Sequence, residues 1–437
     1  MAQYNKDTYQ YLNNNKTLFE VMMIADQYGN MVGPSNPSGV AVDAFGRARS
    51  SDPVTLFESA NRYQDNGKFN TDLSGTANAV FNSATSAMDL TIGTTSGDAV
   101  VRETDRVFAY QPGKSLLILN TFVMPEKANV RSRVGYFDTE NGIFLERNGT
   151  DEPRFVLRSS SSGSLVDNGI AQSSWNVDVL DGTGPSGLTL DITKAHIFWS
   201  DIEWLGVGSI RCGFVINGQF VHCHTFHHAN IVSTTYMTTA CLPIRYEITN
   251  TADTASETTL QQICSSVISE GGYQLSGAPH TVGTGITIGQ IKDIPTAGTY
   301  VPVIAIRLKA GREGSIVLPK DISLIGIGNN TRLAYRIYNG DDIALTGANT
   351  AFLSVNSESA VEYCMTATGF TGGNLLREGY TSITNQSVGT VSLADGDFKY
   401  QLTRNTFTNT RNIFLLAATG ASNGDDVAAS IMWEEVS

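Results

Sequence analysis

Apolar and polar positions along this chain alternate with a period of two, in short runs rich in β-branched and aromatic residues separated by Gly, Asn, Asp, Ser and Pro. Alternation of this kind predicts strands, and the intervening residues are those that turns require. Asn-Gly pairs recur at Asn66-Gly67, Asn141-Gly142, Asn148-Gly149, Asn168-Gly169, Asn217-Gly218, Asn339-Gly340 and Asn423-Gly424. Both central residues of a type I′ turn need positive φ, which Asn and Gly tolerate, so several of these pairs predict hairpins. Residues 134–140, 143–147 and 154–158 then form a meander. A helical pattern is confined to 8–19 and 260–268, each enough for a short helix. No repeat of 20–50 residues is evident, which disfavours a propeller or solenoid. The predicted fold class is mainly β: two antiparallel β-sandwich or jelly-roll-like domains with an extended N-terminal arm.

Residues 1–51 stand apart, with an Asn-rich start, one apolar stretch and then Gly33-Pro34-Ser35-Asn36-Pro37-Ser38-Gly39, a linker-like sequence. They hold too little apolar material to fold alone and are predicted to form an attachment arm. Turn residues at 271–284 (GGYQLSGAPHTVGT) separate two strand-rich blocks. The body is placed at 52–272 and a C-terminal β-domain at 283–437.

Composition sharpens this picture. The chain has 437 residues, 29 Lys+Arg against 42 Asp+Glu, and a charged fraction of 16%. That fraction lies below the roughly 25% of ordinary soluble domains and argues against a helical enzyme rich in Glu, Lys and Leu. The acid excess opposes a broad phosphate-binding surface, so no nucleic-acid partner is expected. The first residues lack a charged start followed by an apolar run, so export by a cleaved signal is not expected. The most apolar runs, such as 115–124, fall short of the ~20 residues that span a bilayer, so membrane insertion is not expected either. Five cysteines without C-x-x-C spacing indicate neither a disulfide framework nor a zinc ribbon. Synthesis in a reducing cytoplasm fits them.

Four groups of residues invite a chemical reading. His222, His224, His227 and His228 cluster around Cys223, and His222 and His224 at i and i+2 can present two imidazoles to one metal. With Asn217-Gly218 as a two-residue turn, Ile216 pairs with Gln219, Phe214 with Val221, Cys212 with Cys223, and Arg211 with His224. This sets Arg211 beside both histidines, against a bound cation, and packed or subunit-contacting histidines are the better reading. Asp201 and Glu203 flank Ile202 and share a strand face with Trp199, about 6.6 Å apart along the strand, a spacing that overlaps that of glycosidase carboxylates. A solvated strand face is the commoner meaning of D-x-E. The Gly-rich stretch 182–187 lacks the lysine of a phosphate loop and reads as turns. Trp175, Trp199 and Trp204 can stack on sugars but are first expected in the core. No G-x-S-x-G elbow occurs. No catalytic, cofactor-binding or metal residue is therefore assigned, no cofactor is implied, and the chain is expected not to be an enzyme.

Several blocks resemble a family of virion structural proteins of tailed bacteriophages, notably those of marine bacteria and cyanobacteria. They are FGRARSSDPVTLF at 45–57, YQPGKSLLILNTFV at 110–123, VGYFDTENGIFLERNGT at 134–150, WNVDVLDGTGPSGLTLD at 175–191, DIEWLGVGSIRCGF at 201–214, YMTTACLPIRYEI at 236–248 and CSSVISEGGY at 264–273. The resemblance covers most of 45–273 and not the part beyond about 283. It implies a virion component, read as a tail or neck fibre or appendage; the low charge density with many hydroxyl and amide side chains suits large subunit interfaces, so a homo-oligomer is expected, a trimer by analogy with phage fibres. Attachment to other virion proteins would run through 1–51, with 283–437 turned toward a host glycan or receptor. The alternatives are a capsid decoration or head-fibre protein, and a glycan-binding receptor protein or depolymerase using Asp201, Glu203 and the tryptophans.

Overall fold

Strands dominate because β-branched and aromatic residues alternate with polar ones across nearly the whole chain. The computed structural model describes residues 52–273, 277–287, 289–327, 332–382, 389–392 and 400–436, with four short strands before them. Those four are β1 (Gln10–Leu12), β2 (Leu18–Glu20), β3 (Ile24–Ala25) and β4 (Met31–Val32). They pair as two antiparallel hairpins within a unit spanning Met1–Asp52. The attachment arm expected at 1–51 otherwise lies outside the described residues. Pro53–Ser437 form a second compact unit.

The first half of that unit is a sandwich of strands β5 (Val54–Ala60), β6 (Phe69–Ser74), β7 (Asn78–Asn82), β8 (Ala87–Ile92), β9 (Ala99–Thr104), β10 (Leu116–Val123), β11 (Val130–Phe137), β12 (Gly142–Asn148), β13 (Arg154–Ser159), β14 (Val166–Ala171), β15 (Ala195–Ile202), β16 (Ile210–Ile216), β17 (Gln219–Phe226), β18 (Ile244–Asn250) and β19 (Thr258–Ser269). One sheet runs β17-β16-β15-β10-β19-β8-β7, with β5 also on β19, and the other runs β14-β13-β12-β11-β18-β9-β6. Every pairing is antiparallel. Inward residues such as Ile118, Phe122, Tyr136, Leu145, Phe198 and Tyr246 are fully buried in one core. At its centre the Phe155 ring stacks 4.3 Å from Trp175 and lies 5.6 Å from Phe198 and 6.0 Å from Phe214.

The second half is another sandwich. Its five-stranded sheet is built on Ile316–Ile327 and Asp425–Val436, and its six-stranded sheet on Val301–Leu308, Ile413–Gly420 and Arg332–Gly340. Trp433, Phe414 and Ile304 are buried between them. The two sandwiches meet through Ala109, Ile316 and Leu318, with Asn70 Nδ2 donating to the Arg404 carbonyl (3.2 Å) and Gln401 Nε2 to that of Val107 (3.1 Å). The mainly β, sandwich-type class read from the sequence is the observed one.

Among the described residues no α-helix occurs, only a 3-10 turn at Gln172–Ser174, and no helix is long and apolar enough to cross a membrane. The short helix expected at 260–268 is instead part of β19. Its Leu, Gln, Ser and Val side chains alternate between buried and half-buried, so pairing with β10 on one side and β8 and β5 on the other overrides a weak helical pattern. Part of the other expected helix, 8–19, forms β1 and the start of β2. The expected meander is present as β11 to β13, extended by β14. Asn217 (φ 53°) and Gly218 (φ 76°) make the tight turn between β16 and β17. Asn168-Gly169 is not a turn but lies inside β14, where a Cβ on Gly169 would sit 3.1 Å from the Arg154 side chain that crosses it.

Candidate functional site

Strand β15 has two working faces. Phe198, Ser200 and Ile202 point into the core, leaving Trp199, Asp201 and the following Glu203 for the outer side. Trp199 lies opposite Gly213, where a side chain would meet the indole at 2.9 Å and the Val221 carbonyl at 2.0 Å. Glycine thus lets the indole lie across β16, edge-on to Phe220 (5.6 Å) and near His222 (5.9 Å). Of the tryptophans expected in the core, Trp175 is there; Trp199 is buried on the outer face, and its Nε1 has no partner among the described residues.

Asp201 lies opposite Arg211, whose guanidinium grips Oδ2, with Nε donating at 2.9 Å. Asp201 is only 5% exposed, and its other oxygen, Oδ1, is buried without a hydrogen-bond partner among the described residues. A buried carboxylate oxygen left unpaired costs about 1–3 kcal/mol or more, so native structures rarely keep one without a reason. Asp201 and Glu203 line a cavity of about 350 Å³, completed by Lys114 and Ser115 at the start of β10 and by Leu205, Ser209 and Arg211. Lys114 Nζ donates to Gln111 Oε1 (2.9 Å) and Ser115 Oγ to Glu270 Oε2 (3.1 Å), which holds this wall in place.

The loop from Glu203 to Ser209 forms the lip. Glu203 N–H donates to the Ser209 carbonyl (3.1 Å), and the amides of Trp204 and Leu205 donate to the Tyr110 hydroxyl (3.2 and 3.3 Å). The Tyr236 hydroxyl donates to the Glu203 carbonyl (3.2 Å). So tied, the loop holds Leu205 at φ 37° while its side chain stays 51% exposed. A branched apolar residue in the left-handed region is strained, and such strain gathers at binding sites.

The histidine cluster does not converge. A β-bulge shifts the pairing of β16 and β17 between Cys212 and Gly213, so Cys212 faces His224 rather than Cys223, and Arg211 faces Thr225 rather than His224. The Ile216–Gln219 and Phe214–Val221 pairs stand as expected. One extra residue on β17 turns His224 to the opposite side from His222. His222 lies near Trp199, whereas His224 packs 4.6 Å from Phe226, and His228 stacks 4.0 Å from Tyr236. Among the described residues no three His, Cys, Asp or Glu side chains gather as a metal site, and all five cysteines are free thiols.

Burial first, and then His222 and His227, push the His224 imidazole down to about 4, and its Nδ1 accepts the Asn176 amide (3.2 Å), a bond that needs the neutral ring. A neutral histidine in the fold contributes stability above the unfolded value of about 6.5 and loses it as pH falls toward 4. Acidification across that window is expected to cost on the order of 2–3 kcal/mol from this residue. In His224→Gln, the unfolding midpoint should fall less steeply between pH 7 and 4.5. An unchanged slope would show that His224 titrates as freely in the fold as in the unfolded chain.

Sequence reasoning missed the outward face of the other sheet. Across β13, β12, β11 and β18, the register sets Arg154, Glu146, Arg133 and Glu247 side by side in an alternating row. Arg133 Nε donates to Glu146 at 2.6 Å and Arg245 Nη1 to Glu103 at 2.6 Å, while Arg158 Nε meets Asp167 at 2.8 Å. The guanidinium carbons of Arg133 and Arg158 lie 5.3 and 5.2 Å from the Phe144 ring, which is buried with Phe137 and Val156. The Arg158 hydrogen bond holds the Asp167 carboxyl below its usual range, whereas burial pushes Glu103 up despite Arg245. Arg131 and Arg133, Arg154 and Arg158, and Arg245 and Glu247 fall at i and i+2 or i+4 on strands, a signal that was present in the sequence.

No protein-family model and no curated protein matches the chain. Among solved structures, a β-glucanase of Bacillus licheniformis is similar over 48% of this chain and 96% of its own, at 13% identity and a TM-score of 0.33. Arcelin-5, a lectin-like defense protein of Phaseolus vulgaris, is similar over 50% and 99%, at 10% identity and 0.31. A β-1,3-glucanase of Mycobacterium marinum covers 49% and 98%, at 11% identity and 0.34. At these values the likenesses assign neither an activity nor a ligand to this chain. The expectation that the chain is not an enzyme is not kept, glucanases being among the structures it is similar to. That exclusion rested on missing linear motifs. The cavity shows why the ground was weak: residues from 113–115, 201–205 and 209–211 meet in it without any motif joining them.

Proposed function

We propose that this chain binds a saccharide in the cavity at Asp201 and Glu203, as an appendage protein of a tailed-bacteriophage particle. The observation that carries the first part is the cavity itself, which brings Asp201 and Glu203 together with Lys114, Arg211 and the exposed Leu205. Glu203 offers an acceptor to a sugar hydroxyl, while Lys114 and Arg211, the latter fixed by Asp201, are donors across the opening, and the set suits the mixed donors and acceptors of a sugar. The exposed Leu205 side chain offers an apolar surface to the C–H face of a ring. This reading puts the glycan on the body rather than on 283–437. The second part is supported by the residue blocks within 45–273, and a homo-oligomer, a trimer by analogy, belongs to the same proposal.

Asp201→Asn keeps the shape of the side chain and weakens its hold on Arg211 in the cavity wall. On an array of bacterial surface polysaccharides, the wild-type chain should bind a defined set and the variant should bind that set about tenfold or more weakly. Equal binding by both would remove this cavity as the glycan site. Reducing-end release from the bound glycans, compared with Glu203→Gln, distinguishes binding alone from cleavage. Placement on the particle is read separately by cryo-EM of virions, and a chain absent from the particle would end that half of the proposal.

A further inference from the structure

On the outward face of the second sheet, the ion pairs match four arginines, Arg133, Arg154, Arg158 and Arg245, with four carboxylates, Glu103, Glu146, Asp167 and Glu247. A fifth arginine, Arg131, shares this face one step along β11 from Arg133. Its cross-strand neighbours are Asn148 on β12 and Thr249 on β18. In antiparallel register, side chains directly opposite one another lie on one face with Cβ atoms about 4.5–5.5 Å apart. Arg131, Asn148 and Thr249 thus form a row of hydrogen-bond donors across three adjacent strands. Among the described residues, none of the three side chains makes a hydrogen bond or ion pair.

We propose that Arg131, Asn148 and Thr249 form a binding site for a single oxyanion, a sulfate or carboxylate group. The guanidinium fork supplies two parallel donors, the Asn148 amide a third and the Thr249 hydroxyl a fourth, a set that suits planar or tetrahedral oxygens. The neighbouring row of alternating Arg and Glu fixes the sheet, and its carboxylates make their ion pairs with Arg133, Arg154 and Arg245 rather than with Arg131. Arg131 is itself half-buried, and burial and then the like charge of Arg133 disfavour its charged form, with Glu247 and Glu146 offsetting them only in part. A bound anion relieves both. The site lies on the opposite sheet from Asp201 and does not depend on the saccharide reading.

The test is titration of the full chain with sodium sulfate at constant ionic strength, followed by calorimetry and by thermal unfolding. The wild type should show one saturable site per chain. Arg131→Gln should weaken it about tenfold or more, Thr249→Val several-fold, and Asp201→Asn not at all. Unchanged affinity in both Arg131→Gln and Thr249→Val, or no saturable binding by the wild type, overturns the site. So does a loss in Asp201→Asn equal to that in Arg131→Gln, which would place the ion in the other cavity. A sulfated oligosaccharide binding about tenfold tighter than sulfate would identify an acidic glycan as the carrier of the anion, and equal affinities would identify the free ion; either supports the oxyanion site.

Discussion

Glu146→Ala is expected to destabilise the N-terminal sandwich by about 3–5 kcal/mol, the usual cost of breaking a buried ion pair from one side. The Glu146 side chain is 1% exposed and sits between Arg133 and Arg154. Arg154, 44% exposed, can turn to water once its partner is gone. Arg133, at 11%, cannot do so without leaving the Phe144 ring, and keeps only its weaker contacts at 3.4 Å to Glu247 and 3.7 Å to Asp167. Urea unfolding followed by circular dichroism should show the midpoint falling with little change in slope. Glu146→Gln, which retains an acceptor, should cost less than the alanine variant. A loss below about 1 kcal/mol in Glu146→Ala would mean that the row behaves as exposed pairs do.

Phe155→Ala is the second large effect, expected at about 3–5 kcal/mol, the range for removing a buried aromatic ring. The ring is fully buried and touches Trp175, Phe198 and Phe214, so its loss opens a cavity between the sheets that flanking rings cannot fill without leaving their rotamers. Phe155→Leu should lose less. Near-ultraviolet circular dichroism reports the rings directly, because the Trp175 signal depends on the face it shares with Phe155. Phe198 is also the inward neighbour of Trp199 on β15, so loosening beneath the strand should weaken the saccharide binding proposed at Asp201. Wild-type stability in Phe155→Ala would show that the stack contributes little beyond its area.

The candidate cavity was half legible. Trp199, Asp201 and Glu203 share a face because strand side chains alternate, and this followed from their spacing alone. Lys114, Ser115 and Ser209 did not follow, because they reach the cavity through β10 and a loop whose positions are set by pairing across the sheet. The histidines show the same limit at closer range. The Asn217-Gly218 turn correctly set the first pairs of the hairpin, but the bulge beyond Gly213 reversed the side that His224 occupies. The bulge coincides with the place where the Trp199 indole crosses the backbone, a contact between residues 14 positions apart. The helix expected at 260–268 failed likewise, since β19 draws its form from β10, β8 and β5 rather than from its own residues.

What the sequence determined by itself was local: period-two patterning made strands, Asn-Gly and kindred residues made their turns, and together they specified antiparallel sandwiches. The tertiary structure decided which strands lie side by side, and with them the row of alternating Arg and Glu, the unpaired Asp201 oxygen and the three donors at Arg131. Turn and strand preferences act over a few residues, whereas charge pairing and leftover hydrogen-bond capacity depend on neighbours that only the closed sheet brings within reach.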